Sequence, residues 1–304
     1  MGLTDSLQNL FPALRSAKDD LVQRMRGLEN RINALDVRAY ALSALNATEP
    51  GVTERAEGPR LTVTLTSYGE RALDVYLVIE SLMQQSVRAD RIVLWLSEDE
   101  FDRDSLPELL ERQENRGLVV RFTEDLRSYK KLIPALTAYP DDLLLTVDDD
   151  VLFPVDHIER LYRAHRAEPE VIHCYRGHRM TYAGPGHLKP YREWELETDL
   201  PHASLDVFPV GVGGVLYFPG CFDEEVTHRA AFTSLCPDAD DIWFKAMSRR
   251  RGTACRVVPH ARSRRQYHVL PGTQADGLWK ANSRNNDRQL RAVLEAYPDL
   301  GLRL

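Results

Sequence analysis

With 304 residues the chain is long enough for one large domain, or two modest ones, around a substantial core. It is 43% hydrophobic and 28% charged, as ordinary globular proteins are, and a net charge of −7 disfavours general attraction to nucleic acid or anionic lipid. No apolar run reaches membrane-spanning length, residues 1–15 lack the basic and apolar regions of a secretion signal, and Cys174, Cys221, Cys236 and Cys255 lack metal-like spacing. They read as buried thiols of a cytoplasmic protein, with the inner face of the membrane as a peripheral address.

The first segment stands apart. Leu7, Leu10, Leu14, Ala17, Leu21, Met25, Leu28, Ile32 and Leu35 recur at spacings of three and four, with charged residues between them. This is a heptad seam with one stutter, where two four-residue steps adjoin at Leu21. It reads as a coiled-coil helix over 1–46 that makes the protein a homo-oligomer. A single amphipathic helix packed on the rest of the chain, or one lying on a membrane surface, are the alternatives. Pro50, Gly51, Gly58 and Pro59 then mark 47–60 as a linker to one domain over 61–304.

From Leu61 the pattern alternates. Strands are expected over 61–65, 91–96, 118–122 and 143–147, with helices over 71–85, 106–113 and 129–138 between them. Such strand–helix units imply a parallel, helix-covered sheet with right-handed crossovers, whose ligands sit beyond the carboxyl ends of the strands. Farther on, helices are expected over 157–165, 238–249 and 285–297, and strands over 171–175 and 256–258. A loop-rich stretch spans 182–206, and a core strand region over 207–218 is interrupted by Gly211, Gly213 and Gly214. Those glycines lack the strand–GxGxxG–helix context of a dinucleotide site. Local basic clusters, at Arg249, Arg250 and Arg251 and at Arg262, Arg264 and Arg265, have the chemistry to meet phosphates.

The most informative stretch is the apolar run from Leu143 to Val147 leading straight into Asp148, Asp149 and Asp150. Three carboxylates at a strand end are not core. Alternate residues of an extended chain share a face, so Asp148 and Asp150 are expected to converge while Asp149 points elsewhere. Two converging carboxylates suit a hard divalent cation that keeps waters and takes further oxygens from a phosphate. A solvated turn or a helix N-cap would also use these residues.

The order of four pieces resembles the GT-A glycosyltransferases, in particular family-2-like bacterial enzymes that build surface polysaccharides. The pieces are Thr66-Ser67-Tyr68-Gly69-Glu70-Arg71 after the first strand, Ser81-Leu82-Met83-Gln84-Gln85-Ser86 followed by the strand around Trp95, the Asp148-Asp149-Asp150 triplet, and Asp240-Asp241-Ile242-Trp243 opening a later helix. The resemblance covers roughly 61–290 and implies an α/β fold of GT-A type, a mixed sheet flanked by helices. It implies transfer of a sugar from a nucleotide-diphosphate sugar, UDP-linked by expectation, to a glycan or lipid-linked acceptor.

The resemblance also implies roles. Asp150 meets a Mn²⁺ or Mg²⁺ ion directly, Asp148 supports it, and His268, with His260 second, supplies a third ligand. Thr66, Ser67, Tyr68 and Glu98 line the nucleotide, Arg71 and Lys130 meet the diphosphate, and Asp149, Gly213 and Gly214 complete the donor side. Tyr191 and Trp194 are candidates for stacking on the acceptor sugar. Inverting transfer needs a base near the acceptor hydroxyl, and the candidates are Asp241, directly before an apolar residue, and Asp240. Carboxylates at a helix start also serve as caps or dipole partners.

Three other classes share parts of this pattern. A haloacid-dehalogenase-like phosphatase places DxD on its first strand, whereas three strand–helix units precede it here. A nucleotidyltransferase carries a glycine-rich basic loop after the first strand, where this chain has only Gly69. A non-catalytic nucleotide-sugar-binding scaffold would have no need of intact acidic motifs.

Overall fold

The computed structural model describes residues 3–55, 57–259, 268–270 and 279–304, and among these the side chains of all but 3–17, 26, 268 and 279–284. Helix α1 (Leu3–Asn46) comes first. Strands β1 (Leu61–Thr66), β2 (Arg91–Ser97), β3 (Leu118–Thr123) and β4 (Leu143–Thr146) alternate with helices α2 (Val75–Met83), α3 (Glu108–Glu114) and α4 (Ile133–Ala138). Next come β5 (Val151–Leu152), α5 (His157–Ala167), β6 (Ile172–Cys174), β7 (Gly177–Arg179), and the paired β8 (Tyr182–Gly184) and β9 (His187–Leu188). The remainder is β10 (Val207–Pro209), β11 (Val215–Tyr217), α6 (Arg229–Leu235), α7 (Asp240–Arg251), β12 (Cys255–Val257), β13 (His268–Val269) and α8 (Trp279–Ala296).

The central sheet is mixed and parallel-dominated, in the order β12-β6-β11-β4-β1-β2-β3, with β11 antiparallel to both its neighbours. From β1 the chain steps outward to β2 and β3, then returns to set β4 on the other side of β1. The β1/β4 boundary is therefore a topological switch point, and in sheets of this kind the ligand crevice lies there, beyond the strand ends. Strand alternation splits the apolar side chains between two layers. Val63, Leu65, Leu94 and Leu145 lie in the layer of α2, and Val93, Trp95, Leu144 and Val215 in the layer of α7.

Three expected elements differ, each for a local reason. The helix expected over 71–85 begins as a 3-10 turn, Gly69–Leu73, because Gly69 takes φ 49° after an extended Tyr68. The helix expected over 129–138 likewise begins as a 3-10 turn, Arg127–Lys131, pinned where Tyr129 Oη donates to Cys236 O at 2.7 Å. The strand region over 207–218 divides: β10 pairs with β7 outside the main sheet, while β11 lies within it. Between them Gly214 N donates to Gly211 O at 3.0 Å, closing a turn that needs φ 91° at Gly213 and 102° at Gly214.

Helix α1 is docked by its last turns. Ala44 is buried, and Val37, Tyr40 and Ala41 pack on the core beneath α2 and α3. A buried charge fixes the joint: Glu80 of α2 accepts from Ser43 Oγ of α1 at 2.8 Å and pairs with Arg116 at 2.6 Å, with Gln84 and Gln113 also donating. Burial works against the Glu80 carboxylate, but Arg116 and the other donors outweigh it and hold its pKa below the ordinary glutamate value. The 47–60 segment then lies along the fold, with Gly51 N donating to Arg116 O and Arg55 paired with Asp90.

Replacing Arg116 by Met strands the Glu80 charge in the core. Urea unfolding of Arg116→Met should show a loss of about 3–5 kcal/mol at neutral pH. A depressed folded-state pKa stabilises above the unfolded value and ceases to do so as pH falls through the folded value. The gap between Arg116→Met and the parent should therefore narrow below pH ~4.

Candidate active site

Strand β1 brings the first side chains to the crevice. Thr64 accepts from Trp95 Nε1 at 3.0 Å and donates to Lys131 O at 2.6 Å, so β1, β2 and the 3-10 turn before α4 are held together at one hydroxyl. Thr66 Oγ1 donates to Trp95 O at 2.8 Å. Ser67, buried, donates to Asp149 Oδ2 at 2.6 Å. Arg71 then spans two of the three aspartates, 2.8 Å from Asp149 and 2.6 Å from Asp150. Its guanidinium also lies 5.2 Å from the ring centre of Tyr68, whose hydroxyl accepts from it at 3.2 Å.

The triplet divides differently from the expected alternation. Asp149 and Asp150 converge on Arg71, and Asp148 turns to Lys131 Nζ at 3.2 Å. The physical reason is that β4 ends at Thr146 and Asp149 and Asp150 form a turn, so the two-residue strand period no longer applies. Burial pushes the Asp149 carboxyl up to about 6, against the pull of Arg71 and Ser67. Asp150 is raised too, by burial and then by Asp148, with Arg71 opposing.

The far wall is the start of α7. Neither Asp240 nor Asp241 caps that helix, since its N-terminus has no side-chain cap; Asp240 turns to Lys131 instead, and Asp241 to the backbone of Gly211. Asp240 Oδ2 is 3.4 Å from Lys131 Nζ, and Asp241 accepts from Gly211 N at 3.2 Å on each oxygen. Gly211 is small of necessity, because a Cβ there would meet Lys131 Nζ at 3.0 Å and Asp241 Oδ1 at 3.3 Å. Burial opposes the Lys131 charge, but Asp240, Asp148 and Asp241 outweigh it and raise its pKa above the ordinary lysine value. Burial, and then Asp240, raise the Asp241 carboxyl to about 7, while Lys131 and the Gly211 N–H draw it back.

Asp148, Asp149, Asp150, Asp240 and Asp241 thus face Arg71 and Lys131, leaving a surplus of negative charge at the switch point. Among the described residues no group of three or more His, Cys, Asp or Glu side chains forms a ready cation cage. A hard cation held by one or two carboxylates together with phosphate oxygens and water needs none, and Asp150, with Asp148 near enough to raise its pKa, fits that donor set. Backbone from the C-terminal region reaches the same place. Strand β13 pairs His268 with Leu152, and Leu270 N donates to Asp150 O at 2.8 Å. The His268 side chain, His260 and the cluster of Arg262, Arg264 and Arg265 lie outside the described residues.

Other expected residues fall in different places. Lys130 is buried and paired with Asp125, so it does not face the crevice; its neighbour Lys131 does. Trp194 is buried between Tyr191 and Phe208 and donates to Lys189 O at 2.8 Å, which closes its ring to a sugar. Tyr191 is partly buried, and burial followed by Asp241 raises its hydroxyl pKa, which places it on the Asp241 side. Gly214 faces His157 and Leu145 rather than open space, and Gly213 is buried in the same turn. Glu98 is exposed just past β2. Arg249 pairs with Asp206, Arg250 with Asp223 and Asp299, and Arg251 donates to Gly220 O, so that triplet serves the end of α7. Sequence reasoning placed the Gly211–Gly214 stretch near the ligand and one of Lys130 and Lys131 in the cleft, but singled out Gly213, Gly214 and Lys130 rather than Gly211 and Lys131. A 3-10 turn and a glycine chosen for close approach carry no periodic signal.

No protein-family model matches the chain, and no curated protein matches it. Solved structures are similar to it in fold. The mannosyltransferase PcManGT from Pyrobaculum calidifontis, in complex with GDP-Man and Mn²⁺, aligns over 90% of this chain and 84% of its own, at 16% identity and a TM-score of 0.43. A CMP:2-keto-3-deoxy-manno-octonic acid synthetase complexed with CTP aligns over 65% and 88%, at 11% identity and a TM-score of 0.38. The inositol-1-phosphate CTP transferase from T. maritima aligns over 66% and 86%, also at 11% and 0.38. At such identities and TM-scores the likeness says nothing of substrate, and the chemistry rests on this chain's own residues.

The raised carboxyls have a measurable consequence. A folded pKa above the unfolded value favours the folded state fully below the unfolded value, and the benefit is lost as pH rises through the folded one. For Asp149 and Asp241 that loss completes through about 6 and about 7. Chemical denaturation should find Asp241→Asn more stable than the parent at pH 8, by about 0.5–2 kcal/mol, with a flatter decline between pH ~4 and about 7.

Proposed function

We propose that this chain is a divalent-metal-dependent glycosyltransferase of GT-A type. It moves a sugar from a nucleotide-diphosphate sugar, with UDP as the expected nucleotide, to a glycan or lipid-linked glycan of the surface-polysaccharide kind. The reading rests on one observation above all: Asp148, first of the acidic triplet, meets Asp240 at the acidic start of α7 across Lys131 at the β1/β4 switch point, with Asp149 and Asp150 beside it on Arg71. That gives one crevice a donor side and an acceptor side.

On the donor side, Thr66, Ser67, Tyr68 and Glu98 are the proposed walls for the nucleotide, and Arg71 and Lys131 the proposed partners of its diphosphate. Asp150, with Asp148 and His268, would hold Mn²⁺ or Mg²⁺; when bound, the ion supplies positive charge to the departing diphosphate. On the acceptor side, Asp241 is the base and Tyr191 flanks the incoming sugar. The Gly211 N–H orients the Asp241 carboxylate. A carboxyl raised to about 7 is basic enough to take the acceptor hydroxyl proton near neutral pH. That proton moves to Asp241 as the acceptor oxygen bonds to the anomeric carbon and the bond from that carbon to the diphosphate breaks, which inverts the configuration. Among the described residues no helix is long and apolar enough to cross a membrane.

A thermal-shift panel of nucleoside diphosphates, with and without Mn²⁺, tests the donor side, because ligand binding raises the melting temperature by mass action. One nucleotide should shift it only with metal, and Asp150→Ala should abolish that shift. Asp241→Asn should keep the shift and lose about 10²–10⁴-fold in transfer, and the parent's kcat/KM should rise with pH through about 7. Near-normal turnover by Asp241→Asn discards it as the base. Hydrolysis of phosphomonoesters, release of pyrophosphate from a nucleoside triphosphate, or metal-dependent nucleotide binding without transfer would each replace the proposal with one of the competing classes.

A further inference from the structure

Helix α1 has two apolar faces, and among the described residues the rest of the chain covers only one. Val37, Tyr40, Ala41 and Ala44 pack inward. Leu21, Met25, Leu28, Ile32, Leu35 and Leu42 are each more than half exposed. Set in heptads, Met25, Ile32 and Ala39 take the a positions and Leu28, Leu35 and Leu42 the d positions, a single stripe roughly 30 Å long. The inward residues then fall at b, c and f, on the opposite side of the helix. Six bare large apolar side chains in one line form a patch of the kind that marks an interaction site, and a lone helix without packing is marginal in water.

The charges beside the stripe choose the occupant. Arg24, Arg31 and Arg38 fall at g, while Glu29 and Asp36 fall at e. In a parallel, in-register pair each g residue faces the e residue five positions on in the other helix, which sets Arg24 against Glu29 and Arg31 against Asp36. An antiparallel pair would set arginine against arginine and acid against acid. Leucine at each d, with Ile32 at a, suits two strands.

We propose that α1 pairs with α1 of a second copy as a parallel, in-register, two-stranded coiled coil over 21–42. Each helix keeps its b, c and f face on its own chain, so pairing requires no undocking. The two candidate active sites then lie at the same end of the coil, on opposite outer flanks. The proposal is independent of the chemistry assigned to the crevice.

Sedimentation equilibrium of the full chain at tens of micromolar should give twice the 34.7 kDa of one copy. The double variant Leu28→Glu with Leu35→Glu, both on the exposed face, should sediment as a folded monomer. Under mild oxidation Leu35→Cys should form a covalent dimer, since Leu35 lies at the seam and the four native cysteines are buried. Glu29→Arg should weaken association several-fold, and adding Arg24→Glu should restore it. A monomeric parent overturns the proposal, as does a dimer unaffected by the double variant. A dimer that resists cross-linking at Leu35→Cys overturns the parallel register. A monomer that binds phosphatidylglycerol vesicles through this stripe assigns the face to membrane instead.

Discussion

The crevice depends on one electrostatic constraint: Asp148, Asp149, Asp150, Asp240 and Asp241 are brought together around Arg71 and Lys131. Carboxylates crowded at a half-buried switch point resist ionisation, and burial is the leading cause of the raised values at Asp149, Asp150 and Asp241. The two cations make the arrangement tenable, but they do not balance it. What is left over is a place that favours added positive charge beside a carboxyl of near-neutral pKa, which is the chemistry that the proposed transfer needs.

Both cations arrive by the same structural device. Arg71 lies on the 3-10 turn Gly69–Leu73 and Lys131 on the 3-10 turn Arg127–Lys131, each in the span where a regular helix was expected to start. A tighter turn re-aims a side chain that an α-helix would send elsewhere. Fixed packing holds each turn in place: Thr64 grips the backbone of Lys131, and Tyr129 stacks on Phe232 at 4.3 Å while donating to Cys236 O. On the opposite wall, Gly211 trades a side chain for close approach, so its N–H can orient Asp241. Functional geometry of this kind is maintained at some cost in stability, which the surrounding core offsets.

The N-terminal helix is joined to this core by polar chemistry as well as by packing. Glu80 is buried under α1 and satisfied by Ser43, Gln84, Gln113 and Arg116 at once. That joint fixes the rotation of α1 about its axis, and with it the direction in which the leucine stripe faces. The orientation of the outward face is thus set from inside the α/β fold.

Several features were legible in the residues themselves. Apolar runs separated by amphipathic stretches located β1 to β4 and the crossover helices, because burial on a sheet imposes its own spacing. The acidic triplet after β4 and the acidic pair at α7 stood out because charge at those positions has no place in a core. The tertiary structure decided which of them meet. Asp149 joined Asp150 because the strand had already ended, Lys131 replaced Lys130 because a 3-10 turn rotates successive side chains by about 120°, and Trp194 proved to be core because Tyr191 and Phe208 cover it. Periodicity is a local property and survives in one dimension; the direction of a side chain at a turn depends on partners as distant in sequence as Ser67 and Asp149, and only the folded chain brings those together.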